Sequence, residues 1–132
     1  MYLVDTNVWL ERLLNQDKSD QVGRFLNDVS PRDLFITDFA FHSICVIFTR
    51  LARTEVLLDF VQDVFVEGAV NVVSIKPSDT RTLLEAIDAY KLDFDDSYQY
   101  VAAEQNGLTL VSFDNDFDRT NKGKKTPAEI TL

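Results

Sequence analysis

Glycine and proline are scarce in this 132-residue chain, at four and three. Long flexible linkers and low-complexity segments are therefore not expected. A single cysteine, Cys45, excludes an internal disulfide and a cysteine-rich metal centre. A reducing, cytoplasmic setting is the expectation that follows. One histidine, His42, leaves little material for a histidine metal cluster or a Ser-His-Asp triad. Without a glycine-rich phosphate loop, nucleotide triphosphate binding is disfavoured. No apolar run approaches the roughly 18 residues of a membrane span. No basic-then-apolar leader precedes the first strand-like run, so a signal peptide is not expected either. Basic residues are also in short supply, 13 against 22 acidic, for a net charge of −9. Such a chain is a poor nonspecific ligand for phosphate backbones, so any nucleic-acid role needs a local basic patch or metal ions.

What is present is enough to fold. Apolar residues make up 45% of the chain, and the length fits one domain over residues 1–132. Tyr2-Leu3-Val4 is a short apolar run ending at Asp5 and reads as a buried strand. Helical spacing follows over Asn7–Leu14 and again from Asp17, Ser19 or Asp20 through Val29. Leu34-Phe35-Ile36 is a second strand, and Thr37 or Asp38 caps a helix reaching about Ala52. That helix is apolar nearly all round, which predicts burial in a core or a subunit interface. Thr54 is the expected cap of the next helix, with Gly68 at its end. Val70–Ile75 is a third strand. Pro77 and Ser78 open one helix, and Asp95 or Asp96 opens another that closes at Asn106-Gly107. Leu108–Val111 is a fourth strand, Asp114–Phe117 a turn or short helix, and Ile130 with Leu132 a possible edge strand. Strands separated by helices predict a three-layer α/β/α sandwich around a mainly parallel sheet of four to five strands.

In such sheets, function gathers at the carboxyl ends of the strands. Asp5 follows the first strand directly, Asp114 and Asp116 follow the last, and Asp96 starts the helix before that last strand. All four can meet at one end of the sheet. Like charges in one cleft raise one another's pKa, and a bound divalent cation removes that cost. Oxygen-only ligands select hard ions, Mg²⁺ or Mn²⁺. Singly, Asp5 and Asp96 read equally well as helix caps, and Asp114 and Asp116 as turn formers.

Val4-Asp5-Thr6-Asn7-Val8 resembles the opening motif of PIN domains. Asp96-Ser97-Tyr98 through Ala102-Ala103 and Gly107 resembles their third motif, and Leu110 through Phe117 their fourth. Order, spacing and length agree over nearly the whole chain. The resemblance implies a metal-dependent endoribonuclease acting on RNA, in many members the toxin half of a VapC-type toxin–antitoxin pair. It implies that Asp5, Asp96 and Asp114 are the acidic metal-site residues, that Asp116 is an accessory acid, and that Thr6 and Ser112 give polar support. It also implies a cognate antitoxin partner. The family's second motif places a Glu on the helix after the second strand, and Ser43 stands there instead. A hydroxyl does not replace a carboxylate's charge, so a catalytically degenerate module that binds RNA or a protein partner is the alternative reading. Asp5-Thr6-Asn7-Val8 also resembles haloacid-dehalogenase phosphotransferases, but those need a second Asp where Asn7 stands.

Arg119, Lys122, Lys124 and Lys125 follow Asp116 closely and are candidates to hold an RNA backbone. The competing reading is a solvated loop. His42, beside Phe41, reads first as a packed histidine, with a site role as the alternative. Ten phenylalanines are many for this length, and four of them, Phe39, Phe41, Phe60 and Phe65, fall on consecutive helices. A homodimer built from residues 38–68 is the expectation. The PIN resemblance implies the same.

Overall fold

In the computed structural model, residues 1–130 are described. Ten regular elements run β1 (Tyr2–Val4), α1 (Thr6–Leu13), α2 (Ser19–Asp28), β2 (Leu34–Thr37), α3 (Asp38–Arg50), α4 (Thr54–Val61), β3 (Asn71–Val73), α5 (Thr80–Tyr90), α6 (Phe94–Gln105) and β4 (Thr109–Val111). The strands form one sheet in the order β3-β2-β1-β4. Every pairing is parallel: Tyr2 lies opposite Leu34 and Thr109, and Phe35 opposite Asn71.

Successive residues of a strand point to opposite faces, and β1 uses this to feed two cores. Leu3 packs with Leu110 and the apolar faces of α5 and α6. Val4 packs with Ile36, Val111 and residues of α1, α2, α3 and α4. Both faces of β1 and β2 are covered, so these strands read as near-continuous apolar runs rather than alternating ones, whereas Asn71 and Val72 of the edge strand β3 are exposed. Each fully buried aliphatic or aromatic side chain contributes about 1.5–3 kcal/mol. The open edge of β4 is closed by one parallel bridge, Val111 with Lys125, in which the Lys125 N–H donates to the Leu110 carbonyl at 2.9 Å. Ile130 lies in no strand, and Leu132 falls outside the described residues. Among the described residues the edge pairing of β4 comes from Lys125. Among the described residues no helix is long and apolar enough to cross a membrane.

Several boundaries differ from the sequence reading, each for a local reason. Thr37 is both the last strand residue and the cap of α3, its hydroxyl accepting from the Ala40 N–H at 2.9 Å. Thr54 is the first residue of α4 rather than its cap, and Arg53 precedes it without a side-chain bond. Gly68 does not end an α-helix. The chain first widens into a π turn over Gln62–Val66, and the Gly68 N–H reaches back to the Asp63 carbonyl at 3.1 Å. Neither Asp95 nor Asp96 caps α6. Asp93 does, its carboxylate accepting from the Asp96 N–H at 3.0 Å. In a run of Asp-Phe-Asp-Asp, only the fold decides which carboxylate turns back onto the helix.

Candidate functional site

The strand order 3-2-1-4 reverses direction between β1 and β4, which makes the carboxyl ends of those two strands the switch point of the sheet. Asp5 and Ser112 are the first residues beyond them. Asp5 is in extended conformation and caps α1, accepting from the Thr6 N–H at 2.7 Å. Its other oxygen accepts from the Ser112 hydroxyl at 2.8 Å. The Gln99 amide donates to Asp5 at 3.0 Å, and the Asn7 amide at 3.4 Å. Asn7 also donates to Ser112 Oγ at 3.2 Å and accepts from the Phe113 N–H at 3.2 Å. Asn7 and Ser112 thus lace the loop after β1 to the loop after β4.

Ser112 Oγ in turn accepts from the Asp114 N–H at 3.0 Å. Asp114 caps a short 3₁₀ turn over Asn115–Arg119 and accepts from the Asp116 N–H at 2.8 Å. This fold of the loop brings Asp114 and Asp116 to Asp96, in the first turn of α6. Carboxylate oxygens of Asp96, Asp114 and Asp116 lie within 4.8 Å of one another. Asp5 stands beside this trio but outside it, with donors on both of its oxygens.

The electrostatics are those of crowded acids. Burial, and then the charges of Asp93, Asp114 and Asp5, push the Asp96 carboxyl up to about 8. Asp5 is almost fully buried, and desolvation raises its carboxyl despite the lowering effect of its hydrogen bonds. All-oxygen ligands held this closely fit a hard divalent cation.

In front of Asp5 and Asp96 opens a cleft of about 690 Å³. Its far wall is one stripe of α3, Phe39, His42, Ser43, Val46 and Ile47, at the spacing of a single helical face. The opposite stripe of the same helix, Ala40, Ile44 and Phe48, is buried in the core. The all-round apolarity of α3 therefore has two causes, a core face and a cleft face, where the sequence suggested burial alone. Ser43 does line the cleft, as does His42, which is exposed. Asp38 is turned elsewhere, accepting from the Tyr98 hydroxyl at 2.8 Å and its own Phe39 N–H. Thr6 lines the cleft as well.

The basic cluster is largely engaged by the fold. Arg119 donates to the carbonyls of Tyr90 and Lys91 at 2.9 and 2.7 Å and pairs with Asp116 at 3.0 Å. It pins the left-handed turn at Lys91 that ends α5. Lys122 donates to the Leu108 carbonyl at 3.2 Å. Lys124 sits between Asn115 and Asp118, at 3.2 and 3.1 Å. Lys125 is exposed, next to Ser112 through the bridge to β4.

Two site residues escaped the sequence reading. Asn7 stands out in the sequence only as part of the opening motif, and Gln99 sits in a buried run, Ser97–Ala103, where a lone amide is the available signal. Gln99 is 2% exposed, and its Oε1 has no partner. With Asp5 ionised the amide points its nitrogen at it, because a carboxylate only accepts. The orphaned Oε1 costs about 1–3 kcal/mol.

The PIN-domain family model matches residues 2–123. A comparison with curated proteins finds no significant match. Solved structures of the same fold include a toxin–antitoxin complex from Klebsiella pneumoniae, at 19% identity and TM-score 0.77, covering 98% of this chain and 100% of that one. FitAcB from Neisseria gonorrhoeae matches at 19% identity and TM-score 0.78, covering 98% of this chain and 100% of that one. VapC20 of Mycobacterium tuberculosis, a sarcin–ricin loop cleaving toxin, matches at 13% identity and TM-score 0.76, covering 92% of this chain and 96% of that one.

Proposed function

The chain belongs to the PIN-domain family, and on that footing we propose that it is a metal-dependent endoribonuclease, the toxin of a toxin–antitoxin pair acting in the cytoplasm. The observation that carries the reading is the trio Asp96, Asp114 and Asp116, with oxygens within 4.8 Å, beside the buried Asp5 at the switch point of the sheet. Asp5, Asp96 and Asp114 are the proposed metal-site acids for Mg²⁺ or Mn²⁺, with Asp116 joining them. A bound divalent cation there supplies an activated water and neutralises charge on a phosphodiester. Thr6, Asn7 and Ser112 hold Asp5 and Asp114 in place through the hydrogen bonds described above. Of the four basic residues, Lys125 is retained as an RNA phosphate contact, because it is exposed and adjacent to Ser112. An antitoxin partner is supported by the likeness to the Klebsiella toxin–antitoxin complex.

The test is cleavage of an RNA panel with Mn²⁺ and with Mg²⁺. Wild-type chain is expected to cut, and Asp5→Asn to lose at least about 100-fold, since changing even a residue that only orients a metal ligand costs about 10- to 100-fold. Ser43 in the cleft favours a second reading, a PIN module that binds RNA or a protein partner without cutting. RNA that stays intact under both ions while still being bound would establish that reading instead.

A homodimer through residues 38–68 is part of the proposal. Within this segment Leu51, Leu58 and Val66 are 49%, 69% and 64% exposed, which leaves apolar surface for a second copy to cover. Light scattering at micromolar concentration is expected to give twice the 15.1 kDa subunit mass. A mass of one subunit removes the dimer.

A further inference from the structure

We infer that Gln99 is a positioning residue of the metal site, its Nε2 orienting Asp5 and its Oε1 accepting a hydrogen bond from a water of hydration of the cation, in partial replacement of the carboxylate missing at position 43. Three observations carry this. Gln99 lies three residues after Asp96 on α6, so both project from one helix face toward the same cleft. Its Nε2 reaches Asp5 at 3.0 Å. Its Oε1 is buried without a donor, although polar groups in folded proteins nearly always find partners. The terminal amide torsion is broad, so a small adjustment that keeps Nε2 on Asp5 is enough for Oε1 to accept from a donor arriving in the cleft. No other neutral oxygen acceptor described in the cleft is both buried and without a partner among the described residues.

A purely structural Gln99 would matter for stability and not for the ion. The inference rests on the metal-site reading above, and its test separates the two. Mn²⁺ binding to the full chain is followed by the paramagnetic resonance signal of the free ion, with no RNA present, alongside thermal unfolding with and without Mn²⁺. In Gln99→Leu the dissociation constant for Mn²⁺ is expected to rise about 10-fold, the lower range for groups that orient metal ligands. The metal-free unfolding midpoint is expected to change little, because the lost donor to Asp5 offsets the removal of the orphaned acceptor. In Gln99→Glu the metal-free midpoint is expected to fall, since another carboxylate joins the cluster, and Mn²⁺ is expected to raise it by more than in the wild type. If Gln99→Leu binds Mn²⁺ within two-fold of wild type, or Mn²⁺ stabilises Gln99→Glu no more than wild type, the inference is overturned while the metal site stands. A wild-type chain that binds no Mn²⁺ overturns both.

Discussion

Asp96→Asn is expected to be more stable than wild type without metal and less stable than wild type with it. Without divalent ions the variant should unfold at a higher temperature than wild type, by a few degrees near pH 8. With saturating Mn²⁺ the wild type should be the more stable of the two, and RNA cleavage by the variant should fall about 100-fold. The first half follows from the acids themselves. Asp96 titrates near 3.8 in an unfolded chain and near 8 in the fold, because burial and the charges of Asp93, Asp114 and Asp5 oppose its ionisation. Below pH 4 the group is protonated in both states and carries no penalty. Between pH 4 and pH 8 the unfolded chain releases the proton while the folded chain keeps it, so native stability declines with rising pH. Asn has no proton to lose, and the stability difference between variant and wild type should grow across that window and level off above it.

The second half follows from mass action. An ion that binds only the folded state stabilises it by about 2.7 kcal/mol at one hundred times its dissociation constant. A site that has lost one of three clustered carboxylates forfeits most of that gain. Thermal unfolding at several pH values, with chelator and with Mn²⁺, reads both effects. Parallel pH profiles for the two proteins would overturn the raised Asp96 titration, and equal stabilisation by Mn²⁺ would remove Asp96 from the proposed metal site.

Ser43→Glu carries the second large effect. Ser43 is half-buried on the cleft stripe of α3, with Asp5 and Asp96 lining the same cleft. A Glu there is expected to reach the cation with a charged oxygen in place of a neutral hydroxyl. Mn²⁺ affinity should rise at least about 10-fold, and cleavage should increase with it. The same charge is a burden without the ion, so the metal-free unfolding midpoint should drop, most visibly above neutral pH. The pairing of a lower metal-free midpoint with tighter Mn²⁺ binding distinguishes a completed site from a merely perturbed helix. If the variant folds and its Mn²⁺ affinity stays unchanged, α3 does not reach the ion, and the serine is irrelevant to it.

The basic cluster shows where sequence position misleads. Arg119, Lys122 and Lys124 follow Asp116 closely along the chain, but each donates to a carbonyl or carboxylate of its own fold. Proximity in sequence said nothing about which charges remain open to a ligand, because the partners, Tyr90, Leu108 and Asp118, include residues up to 29 positions away. The cap of α6 was ambiguous for a related reason: Asp93, Asp95 and Asp96 are chemically alike, and only helix entry selects among them.

Local pattern by itself determined the alternation of strands and helices, the parallel sheet, and the aspartates that end up at its carboxyl edge, because apolar spacing and capping chemistry act over a few residues. The tertiary structure alone decided that β1 and β4 are neighbours, that Asp114 and Asp116 fold back onto Asp96, and that Asp5 is instead encircled by donors from Ser112, Asn7 and Gln99. The β1–β4 pairing and the Ser112 and Gln99 donors to Asp5 join residues 94 to 107 positions apart, and close packing rather than propensity sets their geometry.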